Sequence, residues 1–454
     1  MINKILIANR GEIAVRIIRA CREMGISTVA VYSDIDKEAL HVQLADEAIC
    51  IGTAMAKDSY LKMDRILSAA LATGADAIHP GFGFLSESSK FAGLCKKCNI
   101  IFIGPSADTI LKMGDKSEAR KTMMKAGIPV VPGTKSPITS IEEGVKIGSK
   151  IGYPLMIKAS AGGGGKGMRL VKCSETFKEC FDKARQEAKN GFGDDRLYLE
   201  KYIENARHIE FQILADQFGN VIHLGERDCS IQRRHQKLIE EAPAYGISDE
   251  LRQEMGSMAV RAAKEIGYTN AGTVEFILDE ENNYYFIEMN TRLQVEHGIT
   301  EMVTGIDIVK EQIRIADSKK LDIKQEDIKI KGHAIECRIN AEKPAENFLP
   351  SPGQIKNLHM PGGCGVRIDS AIYHNYIIPP NYDSLIAKLI VHDDCRESAI
   401  KKLIGVLGEF VIEGLDTNTD FLFSIVSNDK FKHEGVDTGF VEKFLNESRM
   451  KTVS

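Results

Sequence analysis

Two rhythms of apolar and polar positions run along the chain. KILIA (4–8) is a short buried run. In GEIAVRIIRACREMG, residues Ile13, Ile17, Cys21 and Met24 fall at helical spacing, Gly25 stops the helix, and STVAVYS follows as a second strand. The beat continues through ADEAICIG, a helix around SYLKMDRILSAALATG, the strand ADAIHP, a helix near SESSKFAGLCKKC and the strand IIFIGPS. Strands alternating with helices predict a parallel-sheet, Rossmann-like α/β domain over residues 1–114. Its first turn, ANRGEIA, lacks G-x-G-x-x-G, which favours a structural role over dinucleotide binding. HPGFGFLSE (79–87) reads equally as a plain strand-to-helix turn or as a neighbour of an active site.

From about residue 115 the pattern changes. Helices are predicted over 116–127, 139–151, 174–190 and 248–266, with strands at YPLMIKAS, MRLVKC and LYLEKYI. HIEFQILA and VIHLGER flank DQFGN as a hairpin, and GTVEFILD pairs with YYFIEMN across EENN. Residues 331–446 open on HAIECRINAE, are punctuated by PSPGQ and MPGGCG, and predict a third, α+β domain before a tail at 447–454.

Composition narrows the reading. A chain of 454 residues suits two or three domains of ~100–200 residues. Hydrophobic content of 43%, charged content of 27% and a net charge of −5 describe an ordinary globular protein and give no support for nucleic-acid or membrane binding. No apolar run approaches the ~20 residues of a membrane span. The N-terminal apolar pattern, broken by Lys4, Arg10, Glu12 and Arg16, is not that of a signal peptide. Ten scattered cysteines suggest a reducing, cytoplasmic setting. The single C-x-x-C, Cys95 and Cys98, has no second pair and reads as incidental.

Candidate chemistry gathers in YYFIEMNTRLQVEH. Glu288, Asn290, Arg292, Gln294 and Glu296 are spaced two apart, so an extended chain would line them along one face. Glu275, on the preceding strand, is expected across from Glu288. Such neighbours stand ~5 Å apart and repel unless a cation lies between them. Magnesium takes carboxylates together with substrate phosphates, which makes Glu275, Glu288 and Asn290 candidate metal ligands. Arg292 can clamp a small planar oxyanion, Gln294 can hydrogen-bond it, and Glu296 can act as a general base. A surface salt-bridge strip is the plain alternative, and it leaves Asn290 and Gln294 without a reason. In RDCSIQRRHQKLIEEAPA, an anion-binding loop that adds Lys237 or His235 to the same pocket fits better than a nucleic-acid patch.

The tract ASAGGGGKGMRLV contains Gly162, Gly163, Gly164, Gly165, Lys166 and Gly167. A strand follows it, and Gly167 rather than Ser or Thr follows Lys166, so neither the dinucleotide fingerprint nor the P-loop fits. A glycine loop between antiparallel strands, with Lys158 just before it, suits a flap over a triphosphate.

Taken jointly, KILIANRGEIA, GGGGKGMR, RDCSIQRRHQK, FIEMNTRLQVEH, ECRINAE and PSPG closely resemble the biotin carboxylase component of acetyl-CoA carboxylase, and equally the matching part of pyruvate and propionyl-CoA carboxylases. The resemblance runs to about residue 445. It implies an ATP-grasp central domain over 115–330 with a mobile lid at about 132–203, and a biotin carboxylase C-terminal domain over 331–446. It implies ATP contacts from Lys116, Lys158 and the loop glycines. Glu200, Lys201, Tyr202, Ile203 and His208 fall on the adenine and ribose side, with Gln232 and His235 nearby. Magnesium or manganese falls to Glu275, Glu288 and Asn290, and bicarbonate to Lys237, Arg292, Gln294 and the Val295 backbone. Glu296 is the implied base, and Arg338 stabilises charge developing on biotin. The implied partners are a separate biotin carboxyl carrier protein, since no Met-Lys-Met tripeptide occurs, carboxyltransferase subunits and a second copy in a homodimer. Three positions depart from the pattern. Gly298 replaces an expected proline, which suggests a looser chain after the base. Lys166 replaces an arginine, and Cys364 replaces an aromatic of the dimer contact.

Overall fold

The computed structural model describes residues 1–134, 136–138, 140–160 and 167–453, the stretch 448–453 as backbone only. Strands β1 (Lys4–Ile7), β2 (Ser27–Ser33), β3 (Glu47–Gly52), β4 (Ala77–His79) and β5 (Ile101–Phe102) pair in parallel in the order β3-β2-β1-β4-β5. The inner strands β1, β2 and β4 are buried on both faces, which is why their apolar runs show no alternation, whereas the edge strands β3 and β5 are largely open to solvent. Ile5 and Ile7 pack with Ile13, Ile17 and Cys21 of helix α1 (Gly11–Glu23), while Leu6 faces the other way, toward Ile66 and Phe91. The expected strand IIFIGPS shrinks to two residues. A helix that the pattern reading leaves out, α2 (Ala107–Gly114), follows it, capped by Ser106 Oγ accepting from the Thr109 N–H.

A small antiparallel sheet comes next, with order β7-β6-β8: β6 (Leu155–Ala159), β7 (Arg169–Val171) and β8 (Leu197–Lys201). Helices Ile141–Ile151 and Phe177–Phe192 pack on it through Ile141, Val145, Phe177 and Phe181. The glycine loop joins two antiparallel strands, as expected, but Gly162, Gly163, Gly164, Gly165 and Lys166 lie outside the described residues. Gly167 is described. Its φ is +72°, and a Cβ there would stand 2.9 Å from the Cβ of Ala159, so only glycine fits.

The largest sheet has eight strands: β9 (Arg207–Ala215), β10 (Val221–Arg233), β11 (Gln236–Ala242), β12 (Asn270–Leu278), β13 (Tyr284–Asn290), β14 (His333–Asn340), β15 (Val366–Ser370) and β16 (Leu385–Asp393). Their order is β13-β12-β9-β10-β11-β14-β16-β15. Both predicted hairpins form. β10 continues past the expected VIHLGER to Arg233, and Arg234 and His235, both at positive φ, make the turn into β11. β11 then pairs with β14, so the sheet runs unbroken across residue 330.

Candidate active site

The register of β12 and β13 puts Glu275 directly opposite Glu288 and Thr273 opposite Asn290. β13 stops at Asn290, so the expected extended strip does not continue to Glu296. The chain turns instead, and Glu296 (φ −78°, ψ 12°) sits just before helix α3 (His297–Thr304). Hydrogen bonds reassemble the strip all the same. Arg292 donates to Asn290 Oδ1 at 3.0 Å and to Gln294 Oε1 at 2.8 Å, and Gln294 Nε2 donates to Glu275 Oε1 at 3.1 Å. Asn290 Nδ2 also donates to Glu275 Oε1, at 2.8 Å.

The two facing carboxylates each take their own cation. Lys116 Nζ lies 2.8 Å from Glu288, and Lys237 Nζ lies 3.1 Å from Glu275, which also receives His208 Nε2 at 2.9 Å. Lys237 carries three carboxylates at once: Glu210 at 2.5 Å, Glu275, and Glu296 at 2.7 Å. Arg338 bridges Glu240 at 2.6 Å and Glu296 at 2.9 Å. Burial alone would push the Glu296 carboxyl up. Lys237, then Arg338 and Arg227, overcome this and hold it well below the usual carboxylate range, so it is ionised at neutral pH. The same contest, won by Lys237 and His208, keeps Glu275 ionised. Burial pushes Glu240 up to about 7, although Arg338 opposes the shift.

A cleft of about 1360 Å³ opens over these groups. Every expected site residue among the described ones lines it, apart from Gly167 and Glu296. Glu296 is wholly buried behind Lys237 and Arg338. Glu200 receives Arg120 at 3.0 Å and also Lys158, so its carboxylate aims that lysine into the cleft. Lys201 lines the cleft while its ammonium donates to the carbonyls of Gly152 and Tyr153. Gln232 Nε2 reaches His208 Nδ1 at 3.5 Å, and His235 sits at the hairpin turn. Gly298 follows the base within a helix. It lies buried in α3, and the Ile390 Cδ1 methyl fills the space 2.4 Å from where a Cβ would be.

Several working residues escaped the sequence reading. Glu87, from the ambiguous turn, accepts from Arg292 Nε at 2.8 Å and from Thr291 N–H at 3.3 Å. Buried Arg227 donates to Glu210, Gln212, Thr273 and Thr300. The strand partners of Arg227 did carry a signal: Glu210 and Gln212 alternate with His208 along β9 as the opening strip does.

Among the described residues no helix is long and apolar enough to cross a membrane. Residues 1–110 match the family described as biotin carboxylase, N-terminal domain. Residues 115–324 match the carbamoyl-phosphate synthase L chain, ATP binding domain, and residues 336–443 the biotin carboxylase C-terminal domain. Biotin carboxylase 1 of Bacillus subtilis is 57% identical over 445 residues, covering 98% of this chain and 99% of the relative. The Campylobacter jejuni biotin carboxylase, solved as a β,γ-ATP complex, superposes with TM-score 0.96 at 49% identity, covering 98% of this chain and 99% of that one. The biotin carboxylase domain dimer of Hydrogenobacter thermophilus 2-oxoglutarate carboxylase, solved with MgADP, ADP and bicarbonate, superposes with TM-score 0.95 at 51% identity, covering 98% of each. Likeness of this depth along nearly the whole chain, over a fold with the same three matched regions in order, makes the chain a member of the biotin carboxylase family.

Proposed function

We propose that this chain carries out the first half-reaction of an acetyl-CoA carboxylase: ATP-dependent carboxylation, by bicarbonate, of biotin held on a separate carrier protein. The observation that carries the reading is the placement of Glu296. It is a buried carboxylate held by Lys237 and Arg338, and Lys237 ties it to Glu275 of the facing pair Glu275 and Glu288.

The donor set suits magnesium or manganese. Glu275 and Glu288 face each other in register, two lysine ammonium groups already lie on the carboxylates, and Asn290, whose oxygen accepts from Arg292 while its nitrogen meets Glu275, would offer that oxygen to an ion after turning its amide over. A bound divalent ion would neutralise charge on the phosphate oxygens. Lys116 and Lys158 point into the same cleft and add positive charge where a transferring phosphoryl group needs it. Arg292, Gln294 and Lys237 suit a carbonate-sized anion. Such an anion draws Lys237 onto itself, and this releases Glu296 from one of the cations that depress its basicity, so that it can accept the bicarbonate proton. Bicarbonate oxygen then attacks the γ-phosphorus and ADP leaves. The resulting carboxyphosphate is labile in water, so the lid, about 132–203, closes over it. It yields carbon dioxide and phosphate; phosphate takes the ureido proton of biotin, Arg338 holds the developing oxyanion, and the ureido nitrogen takes up carbon dioxide.

On this reading the chain divides at 1–114, 115–330 and 331–446, acts in the cytoplasm as a homodimer, and works with a biotin carboxyl carrier protein and carboxyltransferase subunits. The test is ATP hydrolysis with and without bicarbonate and free biotin, and label transfer from bicarbonate to a biotinylated carrier domain. Bicarbonate-dependent hydrolysis stimulated by biotin supports the reading. Hydrolysis indifferent to both points to another ATP-grasp ligase.

A further inference from the structure

The motif ANRGEIA finds no role in the chemistry above, yet its glutamate is buried. Glu12, on α1, has neither carboxylate oxygen in a hydrogen bond, and its nearest cation is Lys388 Nζ at 3.4 Å. Lys388 is wholly buried on β16. In register it stands between Arg338 of β14 and Asp369 of β15, so all three side chains leave the same face of the sheet. Asp369 lies 3.6 Å from Lys388 Nζ and also accepts from Nε and Nη2 of Arg367. The remaining reach of Lys388 goes to the site loop, where Nζ donates to the Val295 carbonyl at 2.8 Å.

Adjacent strands thus grip adjacent residues of one loop. Arg338 takes the Glu296 carboxylate, and Lys388 takes the carbonyl of the peptide that joins Val295 to Glu296. That peptide plane fixes ψ of Val295 and φ of Glu296, and with them the direction in which the Glu296 side chain leaves the backbone. The preceding carbonyl, Gln294 O, is engaged by His297 Nδ1 at 2.8 Å. We infer that Lys388, with Glu12 as its counter-charge, is a positioning residue for the bicarbonate end of the site: a strut from the first helix through the C-terminal sheet to the backbone of Val295. The inference rests on the proposed function. It concerns a group that touches no substrate and acts through the loop.

Removing Lys388 alone would leave Glu12 buried without a cation, whereas Asp369 keeps Arg367. The test therefore pairs Lys388→Met with Glu12→Gln, and adds Lys388→Arg, which keeps the charge and so guards against a variant that does not fold. Steady-state ATP hydrolysis is measured against bicarbonate and against ATP, with Tm alongside. Loss of a buried bond to a charged donor is expected to raise the bicarbonate KM about tenfold or more in the double variant. Lys388→Arg is expected to fall between it and wild type, with the ATP KM within about twofold throughout. A merely structural role lowers Tm and leaves the ratio of the two KM values unchanged, and that result in either folded variant overturns the inference. Wild-type protein lacking bicarbonate-dependent turnover would instead sink the functional reading, before the variants are compared.

Discussion

Glu296→Gln is the substitution that isolates the base most cleanly. The amide keeps the shape and one acceptor, but it loses the charge and the ability to take a proton. In the folded chain Glu296 receives Lys237 at 2.7 Å and Arg338 at 2.9 Å. Neither cation is stranded by the change, because Lys237 keeps Glu210 and Glu275, and Arg338 keeps Glu240. The stability loss should therefore be that of weakened charge-assisted bonds, about 1.5–3 kcal/mol, and not the roughly 3–5 kcal/mol of an abandoned buried charge. Turnover should fall far more, by about 10²–10⁴, the usual contribution of a positioned general base. Lys116, Lys158 and Glu200 sit on other elements, so ATP affinity should hold. The assay is bicarbonate-dependent phosphate release, with ATP binding by calorimetry and Tm as controls. A variant that retains a tenth or more of the wild-type rate while binding ATP normally would refute the assignment of Glu296 as base.

Three further outcomes are expected. Lys237→Gln removes the cation shared by Glu210, Glu275 and Glu296, and should raise the bicarbonate KM by about tenfold; an unchanged KM would count against its anion-binding role. Gly298→Ala should lower stability by about 1–3 kcal/mol through overpacking against Ile390; adding Ile390→Val, which deletes the opposing methyl, should restore part of the Tm, and a fully stable single variant would contradict the geometry. Burial holds His41 down at about 4 and His79 at about 3, so both are neutral in the folded chain at neutral pH. A depressed folded-state value means stability that is complete above about 6.5 and is lost as pH falls toward 4, by roughly 3 kcal/mol or more for each histidine; a Tm flat across that window would be inconsistent with their burial.

The local pattern was legible where one strand and one turn decide the outcome. The hairpin from Glu275 to Glu288 needed only alternation and EENN, and it forms with those two residues opposed. Helix α2 was not legible, because eight residues offer barely two turns of periodicity; only Ser106 and the pair Ile110 and Met113 announce it. The bend after Asn290 was also hidden. Spacing of two fits an extended strand, but the burial of Leu293 and the start of α3 at His297 turn the chain sooner. What local pattern could least supply is pairing at a distance. Nothing near Lys388 says that Arg338 and Asp369 will flank it, and nothing near Arg227 names Thr300 as its partner.

The unbroken course of the largest sheet across residue 330 bears on how this protein could be taken apart. A fragment ending there would present β11 as a raw edge, seven residues long, with its outward amides and carbonyls bereft of β14. Such an edge invites association with another chain. It would also orphan Glu240 and Glu241, whose arginines, Arg338 and Arg396, arrive only from beyond the cut. The chain up to residue 330 is therefore a poor surrogate for the whole, and grafting a foreign C-terminal region onto it demands matched strand register as well as a compatible linker.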